Sequence, residues 1–119
     1  MTPEELKKRT KQFALLILKV VKALPKGKDS DVITYQLLKS GTSVGANYRS
    51  ACRPRSLADF VSKITIVEEE ADESAFWLEI IIESGLLNNE LTQSALKEAN
   101  ELTAIFTASG NTAKQKLNK

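Results

Sequence analysis

Histidine is absent from the 119 residues, and cysteine occurs once, as Cys52. Without histidine the Ser-His and Cys-His nucleophile pairs and imidazole metal sites are excluded, and a lone thiol cannot close an internal disulfide. Cys52 is left as a small packed side chain, or as a reactive thiol among arginines. Long apolar runs are missing as well. The longest uncharged one, Phe13 to Leu18, falls far short of the roughly 20 residues that span a bilayer, and Met1 to Lys11 is charged rather than signal-like. The expectation is a cytoplasmic protein with no membrane partner. Strand signals are lacking too: no segment alternates with period two, and no Asn-Gly or similar turn separates two such runs. Internal repeats and low-complexity segments are absent, and no sheet is expected.

What is present is an ordinary globular balance, 42% hydrophobic and 27% charged, in a chain long enough for one domain with one core. Thr2-Pro3-Glu4-Glu5 opens a first helix, with Thr2 as cap, Pro3 at the first helical position and Glu5 placed for a capping box. Leu6, Phe13, Leu16, Ile17, Val20 and Leu24 then recur at three- and four-residue spacing, so the helix covers about 3–24 and ends at Pro25 and Gly27. Asp29 or Ser30 caps a second helix, about 30–52, with Ile33, Leu37, Val44 and Tyr48 inward, and Pro54 ends it. Ser56 caps the third, about 57–84, through Phe60, Ile64, Val67, Ala71, Ala75, Leu78 and Ile82 to Gly85. Asn88 or Asn89 opens the fourth, about 89–109, on Leu91, Ala95, Ala99, Leu102 and Phe106, and Gly110 closes it. The fold class is all-α: an antiparallel up-down-up-down four-helix bundle over 1–109, followed by a flexible basic tail over 110–119.

One core cannot hold every apolar side chain. Leu15 and Leu18 face away from the stripe of helix 1, and Ile66, Trp77 and Ile80 from that of helix 3. A helix apolar on two faces is normally buried on both, so these five residues are expected at a homo-oligomer interface, with Trp77 as anchor. Gly41 and Gly45 lie mid-helix, where each costs about 1 kcal/mol relative to alanine. Close approach of another helix would offset that cost, and a hairpin about Pro54 sets Gly45 near Ile64 and Gly41 near Glu68.

Charge is divided along the chain. Residues 1–55 hold 12 Lys and Arg against 4 Asp and Glu; residues 56–109 hold 2 against 11; the last ten add three lysines. Such a division points to an anionic partner or to two halves that neutralise each other on folding. Arg49, Arg53 and Arg55, at the end of helix 2, form the most phosphate-like cluster, because a planar guanidinium donates two parallel hydrogen bonds. Cations there also favour the helix dipole. Lys8, Lys11, Lys19 and Lys22 line the outer face of helix 1, and Lys114, Lys116 and Lys119 lie in the tail; with the arginines they can track a nucleic-acid backbone. No aromatic residues interleave with them, so backbone reading rather than base reading is expected. Glu68, Glu69, Glu70, Asp72 and Glu73 are expected to pair with Lys39, Arg49 or Arg53. A di-iron site needs Glu-x-x-His motifs that the chain lacks, which leaves a carboxylate-only Mg²⁺ or Mn²⁺ site as the remaining metal reading. No catalytic residues and no cofactor are assigned.

The run Gln36-Leu37-Leu38-Lys39-Ser40-Gly41-Thr42-Ser43-Val44-Gly45-Ala46-Asn47-Tyr48-Arg49, with Arg53, Ser56, Asp59-Phe60 and the block from Glu68 to Leu78, resembles the bacterial four-helix bundle family of 23S rRNA intervening-sequence proteins. The accessory variability proteins of diversity-generating retroelements share that superfamily. Asn47-Tyr48-Arg49-Ser50-Ala51 departs from the commoner Asn-Ile-Ala-Glu-Gly of the family. The resemblance implies a homopentamer, with RNA or another nucleic acid and a nucleic-acid-processing protein as partners. The rival reading is a protein-interaction or scaffold module whose charges serve subunit or partner-protein contacts.

Overall fold

A computed structural model describes all of residues 1–119. It contains four helices and no strand: α1 (Pro3–Ala23), α2 (Lys28–Ala51), α3 (Leu57–Glu83) and α4 (Glu90–Leu117). The starts follow local chemistry. The side chains of Thr2, Ser56 and Asn89 accept from the backbone N–H of Glu5, Asp59 and Thr92, and Asn89 with Thr92 forms a reciprocal capping box. Helix α2 differs, because Gly27 precedes it with no side-chain cap and neither Asp29 nor Ser30 serves as one. Ser30 is instead buried, and its hydroxyl has no hydrogen-bond partner. Gly85, at φ +78°, ends α3, and the Leu87 N–H returns to the Ile81 carbonyl.

Each helix packs on its sequence neighbour and α4 closes against α1, while α1 and α3 stand at diagonal corners and do not touch. The body measures 50 × 22 × 20 Å. Phe13, Ile17, Leu37, Val44, Ile64, Val67, Leu78, Leu102 and Phe106 fill the centre, and the Tyr48 and Phe106 rings meet at 5.2 Å. The stripe of α3 ends on Ile81, fully buried, rather than Ile82. The buried positions Ile64, Val67, Ala71, Ser74, Leu78 and Ile81 alternate three- and four-residue steps, a strict 3.5 repeat that puts Ile81 rather than Ile82 on the seam.

Two expectations need correction. Gly41 and Gly45 do mark a close helix approach, but the neighbour is α1, not α3. A Cβ on Gly41 would lie 2.8 Å from Ile17 Cγ1, and one on Gly45 would lie 3.3 Å from the Thr10 carbonyl oxygen. Nor does Gly110 end α4, which continues through residues 110–117 where a flexible tail was expected. Gly110 and Ala113 are buried, Gly110 near Ile64, so packing against the first turns of α3 offsets the helix penalty of the glycine.

Candidate nucleic-acid interface

The end of α2 meets the starts of α1 and α3. There Lys7, Arg49, Ser50, Arg53, Arg55 and Lys63 line an open cleft of about 600 Å³ that contains no apolar side chain. Three elements supply the cations. Tight packing of α2 on α1 at Gly45 brings Arg49 beside Lys7, and the short connection after Ala51 turns Arg53 and Arg55 toward the first turns of α3. That connection is pinned. The Arg55 backbone N–H donates to Asp59 Oδ2 at 2.9 Å, and Lys63 lies 3.1 Å from the same oxygen. The Arg55 N–H first and Lys63 second hold the Asp59 carboxyl below the usual carboxylate range. Asp59 is therefore a positioning residue for the basic turn.

The ion pairs show which cations are spent within the chain. Lys7 pairs with Glu4, Lys63 with Asp59, and Arg9 with both Glu98 and Glu101. Arg49, Arg53 and Arg55 are exposed and have no carboxylate partner. No ion pair links α2 to α3, so the expected pairing of the 68–73 carboxylates with Lys39, Arg49 or Arg53 does not occur within the chain. Glu68 accepts instead from the Thr107 hydroxyl at 2.6 Å, and Glu73 from Trp77 Nε1 at 3.3 Å. Burial first, then Glu73, raises the Glu70 carboxyl, with Lys39 opposing. The carboxylates are spread around the helix, and no three converge.

Among the other cations, Lys8 and Lys11 flank the cleft in a shallower depression with Glu4, Lys7 and Arg49. Lys116 lines a groove with Leu57 and Phe60, two and five residues after Arg55, which sets the last turns of α4, with Lys114 and Lys116, at the same end of the bundle. Lys19 and Lys22 are exposed but sit about 16 and 21 Å along α1 from that end, counted from Lys8. Lys7 and Lys63 escaped the sequence reading. Lys7 lies beside the outer face of α1 and leans toward α2, and Lys63 counted as part of the acidic half; its one signal was being a lone cation a turn beyond the Ser56 cap.

On the apolar faces, Leu15, Leu18, Ile66 and Ile80 are exposed as expected. Trp77 is not the exposed anchor. It is half-buried against the core, and its neighbour Phe76, 51% exposed and edge-on at 5.0 Å, stands outward in its place.

The family model described as 23S rRNA-intervening sequence protein matches residues 4–108 of this chain. The solved structure of a protein of unknown function from the S23 ribosomal protein family of Bacteroides thetaiotaomicron VPI-5482 is 32% identical and superposes with a TM-score of 0.81, covering 88% of this chain and 97% of that one. A search of curated proteins finds no significant match.

Proposed function

The chain belongs to the 23S rRNA-intervening sequence protein family, and from that premise we propose that it is a homo-oligomeric, non-catalytic accessory protein that binds RNA through backbone phosphates. The observation that carries this reading is the cleft of Lys7, Arg49, Arg53, Arg55 and Lys63, in which three arginines lack a carboxylate partner. A buried arginine pair would be a structural device; exposed, convergent and unpaired guanidinium groups suit phosphate oxygens. The absence of apolar and aromatic side chains from the lining leaves nothing to stack on bases, so the site reads charge and spacing rather than sequence. Self-association is expected through the exposed apolar faces of α1 and α3, with a homopentamer as the assembly the family resemblance implies.

Fluorescence anisotropy with labelled single-stranded RNAs of unrelated sequence tests the binding arm. Affinity should be present at low salt, similar between sequences, and fall with a log–log slope of about −0.7 per neutralised phosphate. Removing Arg49, Arg53 and Arg55 together should flatten that slope by about 2. No binding at low salt would overturn the reading.

A further inference from the structure

The outer faces of α1 and α3 carry one spacing and opposite chemistry. On α1 the exposed residues Lys8, Lys11, Leu15 and Leu18 follow one another at three, four and three residues; on α3 Glu69, Glu73, Phe76 and Ile80 follow at four, three and four. Each face thus presents two charges and then two apolar side chains, basic on α1 and acidic on α3. None of the four charged groups has an ion-pair partner within the chain. The apolar members are large and wet, with Leu15 53% and Phe76 51% exposed.

These faces cannot satisfy each other inside one chain, because α1 and α3 occupy diagonal corners and their outer faces look away from each other. We propose that the basic-apolar face of α1 docks on the acidic-apolar face of α3 in a second copy of this chain, the two helices running parallel. Lys8 then meets Glu69 of the partner subunit, Lys11 meets the partner's Glu73, Leu15 meets the partner's Phe76, and Leu18 meets the partner's Ile80. All four pairs hold one offset to within a residue. Laid antiparallel, Lys22 reaches the partner's Glu73 and Lys11 the partner's Glu83, but Lys8 runs past the end of α3, whereas the parallel offset matches Lys8 and Lys11 and also sets Lys22 opposite the partner's Glu83.

The level of the helices sets the stagger that the parallel docking requires. Gly41 packs on Ile17 while its neighbour Ser40 bonds Ser74 at 3.1 Å, which sets Ile17 level with Ser74 and Leu15 level with Asp72. Joining Leu15 to the partner's Phe76 therefore needs an axial shift of four residues, about 6 Å or one turn. Because the contact joins two different faces, each copy offers one socket and one plug, and the assembly closes as a ring or extends as a filament. Glu73 is held in place by Trp77 Nε1, so half-buried Trp77 orients the acidic side of the contact.

This inference rests on the self-association reading above, and sedimentation velocity of charge-swapped full-length chains separates the two. K8E/K11E and E69K/E73K, each folded by circular dichroism, should weaken self-association by about 100-fold, since each brings like charges face to face. The quadruple variant K8E/K11E/E69K/E73K should regain the wild-type mass, and K8E alone should weaken association, because Lys8 meets a carboxylate only when the helices run parallel. Wild-type assembly that both double reversals leave intact, or that K8E alone leaves intact, overturns the docking but not the self-association. A quadruple variant that folds yet stays dissociated overturns the docking likewise. A wild-type chain that stays monomeric at 100-fold the usual micromolar concentration overturns both.

Discussion

A single methyl group distinguishes the glycines of this bundle. At Gly41 the new Cβ would sit 2.8 Å from Ile17 Cγ1, and the β-branched isoleucine, fully buried, has little rotamer freedom with which to retreat. Overpacking costs about 1–3 kcal/mol and exceeds the gain in helix propensity of about 1 kcal/mol, so Gly41→Ala should destabilise by about 1 kcal/mol. At Gly110 the nearest atom, Ile64 Cγ2, would be at an ordinary 3.5 Å. There the propensity gain stands alone, and Gly110→Ala should stabilise by about 0.5–1 kcal/mol. Urea denaturation of the two variants should show midpoints displaced in opposite directions; a common sign would refute this account of the glycines. Residue pattern alone marks both as helical glycines, and the distance to a neighbouring helix separates them.

Among the elements, α1 is fastened to α4 mainly by one group. Arg9 donates through Nε and Nη2 to the two oxygens of Glu98, at 2.8 and 2.6 Å, and Nη2 also reaches Glu101 at 3.2 Å. The other seams combine apolar interdigitation with hydrogen bonds such as Ser74 to Ser40 and Thr107 to Glu68, but the α1–α4 seam is the least extensive of the helix contacts. The hydrogen bond donated to Glu98 leads the effects that hold the Arg9 guanidinium more firmly charged than usual. Arg9→Ala should cost about 1–2 kcal/mol, more than a fully exposed pair, because both side chains are about four-fifths covered. A double-mutant cycle with Glu98→Gln should recover a coupling of that sign, and additive losses would show that the fork contributes only through packing. The helix boundaries, by contrast, follow from short-range chemistry: caps at Thr2, Ser56 and Asn89, and a left-handed glycine at 85.

For the molecule as a whole, the division of charge along the chain becomes a division in space. Two of its four ion pairs, those of Arg9 with Glu98 and Glu101, lie away from the cleft, and none joins the basic α2 to the acidic α3. The basic residues instead separate into two groups. Lys7, Arg49, Arg53, Arg55 and Lys63 converge at one end, with the last turns of α4 nearby, whereas Lys19 and Lys22 sit at the far end of α1. If RNA is held at the cleft, Lys19→Ala with Lys22→Ala should change affinity less than twofold at 0.15 M salt, since about 20 Å exceeds the 8 Å Debye length. Arg49→Ala alone should weaken binding several-fold under the same conditions. Equal losses from both would place RNA along the whole of α1 instead.

The four helices, their caps, the apolar stripes and the arginine cluster were legible in the sequence because each depends on residues three or four apart, whose relation is set by the helix itself. The clustering of Arg49 with Arg53 is such a relation. The neighbour of Gly41, the burial of Trp77 in place of Phe76, the extension of α4 past Gly110, and the arrival of Lys7 and Lys63 at the arginine turn depend on crossing and stagger between helices. No local spacing carries that information: stagger emerges when 18 buried side chains of four helices settle into one close-packed core. Tertiary packing likewise set α1 and α3 at diagonal corners, leaving a basic face and an acidic one apart, each with its charges unmatched.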